Sequence, residues 1–270
     1  MSKFEKDYVA LVEDILATGH KRVTRSGDVL SAFNKSISFD LCEEFPILQI
    51  RKMYYKGVFG ELAAMLKGPT CAADFAVEGC NYWNDFADDE GNLVLDYGNK
   101  WLNFNGVNQL ERVIHKLQHT PDDRRIIITS WDPANIDNLT LPCCHHTYQF
   151  YVRQEYGKSY LDMHWIQRST DVMVGLPSDA IFAAAMVIYL GGETGHEPGR
   201  VTMTLGDTHI YSNHIPEAHR YTHIAKAGIN SRILANKVKY DYTVASVFNK
   251  DCITIHNYKP LAVFKHEIML

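Results

Sequence analysis

Apolar residues recur along the chain with the spacing of helices in some segments and of strands in others. One face of an N-terminal segment carries four apolar residues at helical spacing, which predicts an opening amphipathic helix: Tyr8, Leu11, Val12 and Ile15. The segment YYKGVFGELAAMLKG has the same pattern and predicts a second helix that closes at Gly68 and Pro69, with Glu61 inside its apolar pattern. The run 180–190 is almost wholly apolar but too short to span a bilayer, so it predicts a buried helix.

Four further segments are rich in β-branched and aromatic residues and predict strands: RRIIITSW, HTYQFYVR, SYLDMHWIQ and RVTMTL. A turn-rich connector, LGGETGHEPG, is expected after the buried helix, and its glycines lack the spacing of a phosphate loop. No repeat and no Pro/Gly/Ser-rich linker divides the sequence. The order of elements therefore predicts one mixed α/β domain over residues 1–270, built on a central sheet.

Composition narrows the function classes. The chain of 270 residues is 46% hydrophobic and 22% charged, which is ordinary for a globular protein. A net charge of −5 argues against a protein that coats nucleic acid, although a local anion site remains open. The N-terminal segment MSKFEKDYVA lacks the apolar core of a signal peptide, and the six cysteines form no CxxC pair. We therefore expect reduced thiols in a cytoplasmic protein with no membrane segment.

The segment LPCCHHTYQF places two thiols beside two imidazoles. Zinc binding is disfavoured because adjacent cysteines rarely converge on one ion and no second ligand pair stands at finger spacing. A nucleophilic cysteine is the alternative, and it needs positive charge or hydrogen-bond donors nearby to form a thiolate. A buried, inert thiol is the third interpretation, and this segment alone does not decide among them.

Two arginine-containing segments, DDRRII and IQRSTD, bring Arg124, Arg125 and Arg168. Arginine forks bind phosphate oxygens with paired hydrogen bonds, whereas arginines at a strand end are more often solvated or ion-paired. The segment GDTHIYSNH could supply a catalytic pair, a patch that binds a sugar hydroxyl, or merely structural polar groups.

The stretch VGLPSDAIFAAAMVIYL raises a separate question about Asp179. Ser and Asp are preferred N-cap residues, and Pro177 suits a chain entering a helix, so the stretch by itself predicts that Asp179 caps the buried helix. The alternative is that its carboxylate contacts a ligand.

Three segments together resemble the best-known segments of thymidylate synthases: PCCHHTYQFYV, QRSTDVMVGLP and GDTHIYSNH. TRSG resembles the family's phosphate loop, one residue shortened, and GELAAML resembles the helix that carries its glutamate. The folate-side segment of the family is similar to NYWNDFADDEGNL followed by DYGNKW. Its paired arginines are similar to those in PDDRRIIITSW, and its C-terminal closing segment is similar to NYKPLAVFKHEIML. The resemblance extends over nearly the whole chain.

The resemblance implies an α/β (mixed α+β) fold whose central mixed sheet packs back to back against that of a dimer mate. It implies that Cys144 is the nucleophile, since Cys143 stands where the family usually has proline. Cys144 would add to C6 of a pyrimidine nucleotide, and C5 would then take a one-carbon unit from 5,10-methylenetetrahydrofolate, with no metal and no nucleic acid required.

The resemblance also assigns roles by position. The residues implied for the nucleotide phosphate and its surroundings are Arg25, Gln167, Arg168 and Ser169, with Arg124 and Arg125 reaching over from the partner subunit. His209 and Tyr211 are implied at the sugar hydroxyl, Glu61 in proton relay, and Tyr97 in removal of the C5 proton. The residues implied on the folate side are Tyr82, Trp83, Asp171, Val174, Gly175 and Ser178.

Two departures from thymidylate synthases refine the expected reaction. Asp179 stands where they have asparagine; a carboxylate only accepts hydrogen bonds, so it suits the N4 amino group of cytosine and disfavours O4 of uracil. The same substitution occurs in the family's dCMP hydroxymethylases from phages. Ser178 replaces a phenylalanine that packs on folate, which would admit water to the reaction intermediate.

These departures favour a dCMP hydroxymethylase, which would act in the host cytoplasm if it is phage-encoded. The full-length tail ending in EIML points instead to exclusion of water, and so to a dCMP methyltransferase as the alternative. Thymidylate synthase, dUMP hydroxymethylase and a catalytically silent nucleotide-binding relative rank lower.

Overall fold

In the computed structural model, which describes residues 1–228, 238–245 and 247–264, helices and strands alternate along the chain. The helices are α1 (Lys3–Thr18), α2 (Tyr55–Met65), α3 (Ala72–Val77), α4 (Asn99–Leu102), α5 (Gln109–His119), α6 (Gly175–Thr194) and α7 (Ile215–Ala227). The strands are β1 (His20–Thr24), β2 (Gly27–Asp40), β3 (Ile127–Thr129), β4 (His145–Glu155), β5 (Lys158–Asp171), β6 (Glu197–Tyr211), β7 (Lys239–Tyr242) and β8 (Ile253–His256). Short 3₁₀ helices lie at Tyr82–Phe86, Ile136–Asn138 and Ser212–His214.

The central sheet has the strand order β1-β2-β6-β5-β4-β3 and is mixed, because β5 and β6 run parallel while the other neighbours are antiparallel. β7 and β8 form a separate two-stranded sheet. The mixed α/β architecture predicted from the sequence is therefore confirmed. The parallel register pairs Ser169 with Asp207 and Asp171 with His209, so the carboxyl ends of β5 and β6 bring their polar residues to one edge.

The helices cover one face of this sheet, with α1 on β2 and α6 against β5, β6 and α2. Helix α6 is long and apolar enough to cross a membrane by length and composition, but 72% of its most apolar window is buried inside the protein. It is therefore a core helix, as the sequence predicted. Large apolar side chains on the strands, such as Phe33 and Tyr151, remain exposed.

Several local elements were missed or misjudged from the sequence. The β1–β2 hairpin, whose turn contains the TRSG segment, was not predicted, because β2 mixes polar with apolar residues and is interrupted at Asn34, where φ is +58°. Helix α5 was also missed, since its buried apolar residues are few: Leu110, Val113 and Leu117.

The connector LGGETGHEPG is much shorter than predicted, because α6 continues through Gly191 and Gly192 to Thr194. Glycine is needed at 191, where a Cβ would lie 2.7 Å from the carbonyl oxygen of His196. Gly195 then ends the helix with φ +77°, the left-handed conformation that glycine adopts without strain.

The prediction that Asp179 caps α6 was wrong. The helix begins at Gly175, so Asp179 lies in its second turn, where side chains no longer reach free N–H groups. Asp171 instead fixes the turn that leads into the helix: its Oδ1 accepts from the backbone N–H groups of Met173 (2.9 Å) and Val174 (3.2 Å), just before the first helical residue. The carboxylate of Asp179 is therefore available for another role.

Candidate active site

A pocket of about 450 Å³ opens where β5 and β6 end, beside the turn between β1 and β2. It is lined by Arg25, Ser26, Asp85, Phe86, Thr140, Leu141, Cys144, Arg168, Ser169, Asp171, His209 and Tyr211. Residues from distant parts of the sequence thus surround one cysteine. The combination of cations, hydroxyls and a thiol fits an anionic, electrophilic substrate.

Cys144 immediately precedes β4, and its backbone is fixed on both sides. Its N–H donates to the Oη of Tyr97, and its carbonyl oxygen accepts from the N–H of Arg168 at 2.8 Å. Burial raises the pKa of the Cys144 thiol, whereas the positive charge of Arg168 acts to lower it. Arg168 is therefore the group that favours the thiolate, which is the reactive form.

The adjacent thiol of Cys143 points into the core. It is 1% exposed, its Sγ lies 4.0 Å from the carbonyl oxygen of Ser130, and burial raises its pKa to about 12. Successive side chains in extended backbone point to opposite sides, so only one of the two cysteines can face the pocket. That one is Cys144.

The imidazoles next to the thiols are not placed as metal ligands. His145 packs against Trp165 with ring centroids 4.3 Å apart, and burial lowers its pKa to about 3, so it is a neutral core residue. Its Nδ1 lies 2.6 Å from the Oη of Tyr148. Within residues 1–228, 238–245 and 247–264, no group of three or more His, Cys, Asp or Glu side chains is arranged to hold a metal ion.

Arg168 is oriented by backbone carbonyls. Its Nε donates to Cys143 O at 2.8 Å and its Nη2 to Pro142 O at 2.7 Å, and its guanidinium lies 5.7 Å from the ring centroid of Trp131. Neutral carbonyls fix the guanidinium without cancelling its charge, so it can still attract an anion. Arg25 and Ser169 line the same pocket, as expected for neighbouring anion ligands.

Arg124 and Arg125 lie elsewhere on the chain. Both are exposed just before β3, and Arg125 forms a two-pronged hydrogen bond with Asp123, from Nε at 2.9 Å and Nη2 at 3.1 Å. The single chain does not bring either residue into the Cys144 pocket. The expectation that they serve the phosphate site of a partner subunit stays a prediction.

His209 and Tyr211 project from the end of β6 into the pocket. Their rings contact edge to face with centroids 5.1 Å apart, and His209 Nδ1 lies 3.3 Å from Asp207 Oδ1. Burial raises the pKa of Tyr211, so its hydroxyl stays protonated and can donate. This pair is suited to hydrogen bonding with a hydroxyl group.

Glu61 is held by two donors from the Tyr82–Phe86 turn. Trp83 Nε1 donates to its Oε1 at 2.8 Å, and Tyr82 Oη donates to its Oε2. Burial raises the pKa of Glu61 to about 7, against the effect of these hydrogen bonds. A carboxyl group with a pKa near neutrality can both take up and release a proton at physiological pH.

Tyr82 and Trp83 were predicted to flank folate, which stays a prediction, and the structure shows both of them in contact with Glu61. Trp83 is 4% exposed and stacks on Phe75 with ring centroids 4.9 Å apart. Phe86, three residues further along, lines the pocket. Phe86 was not predicted as a site residue, although its spacing of three from Trp83 in NYWNDF places both on one face of a helical turn.

Asp179 projects from α6 toward β5, where Gln167 Nε2 donates to its Oδ2 at 2.7 Å. Burial raises the pKa of Asp179 to about 7, and the negative charges of Glu61 and Asp171 act in the same direction. A Cβ on Gly175 would lie 3.6 Å from Asp179 Oδ2 and 3.9 Å from Asp171 Cβ, so Gly175 leaves open the space between the two carboxyl groups.

The remaining predicted positions are less defined by contacts. Val174 and Ser178 are both partly exposed at the start of α6. The predicted closing segment ends in EIML, which lies outside the described residues. The chain leading to it is anchored, since Leu261 N donates to Gln49 O at 2.9 Å and Lys52 N donates to Ala262 O at 2.8 Å.

The raised pKa of Asp179 predicts a pH-dependent stability. Between about pH 4 and pH 7 the folded state keeps a proton that the unfolded state loses, so stability falls as pH rises through this window. Asp179→Asn removes this cost. Its free energy of unfolding should exceed that of the wild type by about 2–4 kcal/mol at pH 8, with little difference near pH 4.

Urea unfolding monitored by circular dichroism at both pH values checks this result. Asp251→Asn is the matched control, because Lys56 lowers the pKa of that exposed carboxyl group and no gain at pH 8 is expected. An equal change for Asp179→Asn at both pH values would contradict the prediction.

Comparison with known proteins gives two findings. A family model described as "Thymidylate synthase" matches residues 6–270. A curated protein from Mycoplasma genitalium with the name "Thymidylate synthase" is 34% identical over 242 residues, which cover 78% of this chain and 83% of that protein.

Proposed function

Because this chain belongs to the thymidylate synthase family, we propose that it transfers a one-carbon unit to C5 of a pyrimidine nucleoside monophosphate, and that this nucleotide is dCMP. The family uses methylenetetrahydrofolate as its co-substrate. The observation that carries the choice of cytosine is the carboxyl group of Asp179, held at its Oδ2 by Gln167 beside the cysteine pocket.

Cys144 is the proposed nucleophile. Its thiolate adds to C6 of the ring, the C5–C6 π electrons move into the C4–C5 bond as N3 takes up the negative charge, and C5 becomes nucleophilic as an enamine carbon. Arg25, Arg168 and Ser169 would bind the phosphate, and His209 with Tyr211 would bind the sugar hydroxyl. Glu61 and Tyr97 would move protons, since Glu61 has a pKa near neutrality and Tyr97 contacts the backbone of Cys144.

The folate side of the pocket has a shape and polarity that fit a pterin. Asp171 offers a carboxyl group that lines the pocket, Phe86 offers an aromatic surface, and Gly175 leaves open the space between Asp171 and Asp179. Val174 and Ser178 flank this space on the first turns of α6. When bound, methylenetetrahydrofolate supplies the one-carbon unit.

Cytosine and uracil present opposite hydrogen-bonding edges to Asp179. Cytosine has an acceptor at N3 and a donor at N4, whereas uracil has a donor at N3 and an acceptor at O4. An ionised Asp179 repels O4 and accepts from N4. A protonated Asp179, which a pKa of about 7 makes accessible, adds a donor for N3 and polarises the ring toward attack at C6.

The proposed product is 5-hydroxymethyl-dCMP, formed together with tetrahydrofolate. After transfer, C5 loses its proton and tetrahydrofolate leaves, so C5 carries an exocyclic methylene group; water adds to that carbon and loses a proton, and Cys144 leaves C6 as the C5–C6 double bond re-forms. Ser178 favours this outcome because a small, partly exposed hydroxyl at the start of α6 leaves room for water. The alternative, 5-methyl-dCMP with dihydrofolate, requires water to be excluded while the methylene group is reduced. Thymidylate synthase, dUMP hydroxymethylase and a silent nucleotide-binding relative rank below both.

The mass of the nucleotide product tests the proposal directly. The protein is incubated with dCMP and methylenetetrahydrofolate, and a parallel reaction contains dUMP. We expect dCMP to gain a hydroxymethyl group; a product lighter by one oxygen atom would establish the methyltransferase alternative. Conversion of dUMP with dCMP unchanged would overturn the assignment of Asp179.

Ser178→Phe should shift the product ratio toward 5-methyl-dCMP, because a phenyl group at this position would displace water from the intermediate. Ser178→Ala is the control, since it removes the hydroxyl without filling the space. Mass spectrometry of both products, formed under the same conditions, gives the ratio. An unchanged ratio in Ser178→Phe would mean that another part of the site controls access of water.

A homodimer is the proposed assembly, because members of the family are typically dimers. Phe33 and Tyr151 on the strands of the sheet are exposed, at 81% and 66%. A back-to-back contact between two such sheets would cover them. Arg124 and Arg125, which are distant from the pocket of their own chain, would then complete the phosphate site of the partner subunit.

A further inference from the structure

The side-chain amide of Gln167 is held in one orientation by three contacts. Trp165 Nε1 donates to Gln167 Oε1 at 3.0 Å, and Gln167 Nε2 donates to the carbonyl oxygen of Ser169 at 3.1 Å and to Asp179 Oδ2 at 2.7 Å. An indole N–H only donates and a peptide carbonyl only accepts. Reversal of the amide would therefore oppose donor to donor and acceptor to acceptor.

The fold places these groups in line by simple geometry. Trp165 and Gln167 are two residues apart on β5, so their side chains lie on the same face of the strand. The indole is fully buried and packs between His145 and Phe182, with ring centroids at 4.3 Å and 5.9 Å. Its N–H thus has a fixed direction. This fixes the orientation of the Gln167 amide, and with it the N–H that donates to Asp179.

The fixed amide determines which oxygen of Asp179 can carry a proton. Oδ2 must accept from Gln167, so a proton on the carboxyl group belongs on Oδ1. The protonated side chain then presents a donor at Oδ1 and an acceptor at Oδ2, in one order only. This order of donor and acceptor matches the hydrogen-bonding edge of one pyrimidine base. On the other base it places donor against donor and acceptor against acceptor.

We propose that Trp165 is a positioning residue for base selection: its indole N–H, through Gln167, sets the order of donor and acceptor that Asp179 presents to the base. The inference rests on the proposed function, in which that base is cytosine. Without the indole N–H, only the carbonyl oxygen of Ser169 opposes reversal, so a fraction of the molecules has Gln167 reversed with its oxygen toward Asp179. The proton then moves to Oδ2, and Oδ1 becomes an acceptor that suits N3–H of uracil.

Trp165→Phe tests this inference because it removes the N–H and keeps an aromatic ring. We expect the ratio of kcat/KM for dCMP to that for dUMP to fall by roughly threefold to tenfold, the size of one neutral hydrogen bond. The pH limb of kcat/KM governed by Asp179 should move to higher pH, because the carboxylate loses a firmly held donor.

Trp101→Phe is the matched control. Trp101 is also fully buried and its Nε1 donates to Ser130 Oγ at 2.7 Å, away from Gln167. Both variants lose a buried indole N–H and should lose stability, but only Trp165→Phe should change the dCMP to dUMP ratio and the pH limb. A purely structural role for Trp165 would move neither readout relative to the control.

Incorporation of 3-(3-benzothienyl)alanine at position 165 covers the case in which Trp165→Phe does not fold. This residue keeps the fused-ring shape and replaces the N–H with sulfur, so the core packing is retained. An unchanged selectivity ratio in this protein, or in a folded Trp165→Phe, would overturn the inference. A wild-type enzyme that prefers dUMP would instead overturn the proposed function, so the two failures are distinguishable.

Discussion

Replacing Cys144 with serine is expected to lower turnover of dCMP by at least about 10³-fold, because a neutral hydroxyl is a far weaker nucleophile than a thiolate. The substitution changes one atom at the mouth of the pocket and leaves the groups proposed to bind phosphate and sugar in place. Binding of dCMP should therefore persist. Steady-state kinetics and equilibrium dialysis with labelled dCMP measure the two effects separately.

Cys143→Ala is the matched control for the neighbouring thiol. Cys143 is buried beside Ser130, and burial raises its pKa to about 12, so it should react slowly and contribute only packing. We expect a modest loss of stability and turnover close to that of the wild type. Iodoacetamide should label Cys144 before Cys143, and dCMP should protect it.

Retention of turnover in Cys144→Ser would exclude a covalent mechanism through this residue. Loss of activity in Cys143→Ala, with Cys144→Ser unaffected, would reverse the assignment of the two thiols. A catalytically silent relative would bind dCMP equally in all three proteins and convert it in none. The experiment therefore separates enzyme from binding protein as well as one cysteine from the other.

Asp179→Asn is expected to reverse base selection. The amide of asparagine carries no charge that repels O4 of uracil, and with its nitrogen in the place of Oδ2 it donates to O4 while its oxygen accepts from N3–H, at the loss of the hydrogen bond from Gln167 Nε2. The same donor faces the N4 amino group of cytosine, leaving two buried donors opposed. We expect the ratio of kcat/KM for dCMP to that for dUMP to change by about 10²-fold or more in favour of dUMP.

Competition between dCMP and dUMP in one reaction, with both products resolved by mass spectrometry, measures this ratio. Asp85→Asn is the control, because Asp85 is a carboxylate that also lines the pocket but has no contact with Gln167. It should change both substrates to a similar extent. An Asp179→Asn variant that retains the wild-type ratio would show that Asp179 does not contact the base.

The two consequences of Asp179→Asn have one physical origin. A buried carboxyl group near Glu61 and Asp171 costs stability at neutral pH, which the raised pKa expresses. Keeping such a group where an uncharged amide would be more stable is typical of functional sites. A gain in stability at pH 8 together with a loss of dCMP specificity would therefore be the combined signature of this position.

Local sequence patterns determined much of the fold. Periodicity alone located α1, α2 and α6 and the strands β3 to β6, because each of these segments buries one face or all of its surface. It failed where local patterns are mixed: β2 carries a left-handed Asn34, α5 buries few residues, and α6 continues through Gly191 because His196 approaches its backbone closely.

The sequence by itself also determined the family and the identity of the candidate nucleophile, since the residues around Cys144, Arg168 and His209 keep their motif order. That Asp179 does not cap α6 was decided only by the tertiary structure. Whether a carboxylate caps a helix depends on where that helix begins, and α6 begins at Gly175, four residues before Asp179, after a turn in which Asp171 accepts from the N–H groups of Met173 and Val174.

The contact partners of the candidate site were likewise decided only in three dimensions. Trp83 satisfies the motif expected of a folate wall, yet its indole donates to Glu61, and Gln167 links Trp165 to Asp179 across two elements. Residue type and order limit which groups can donate or accept. The orientation and burial of each side chain arise only when strand and helix pack together. They decide which groups it contacts and which protonation state it adopts.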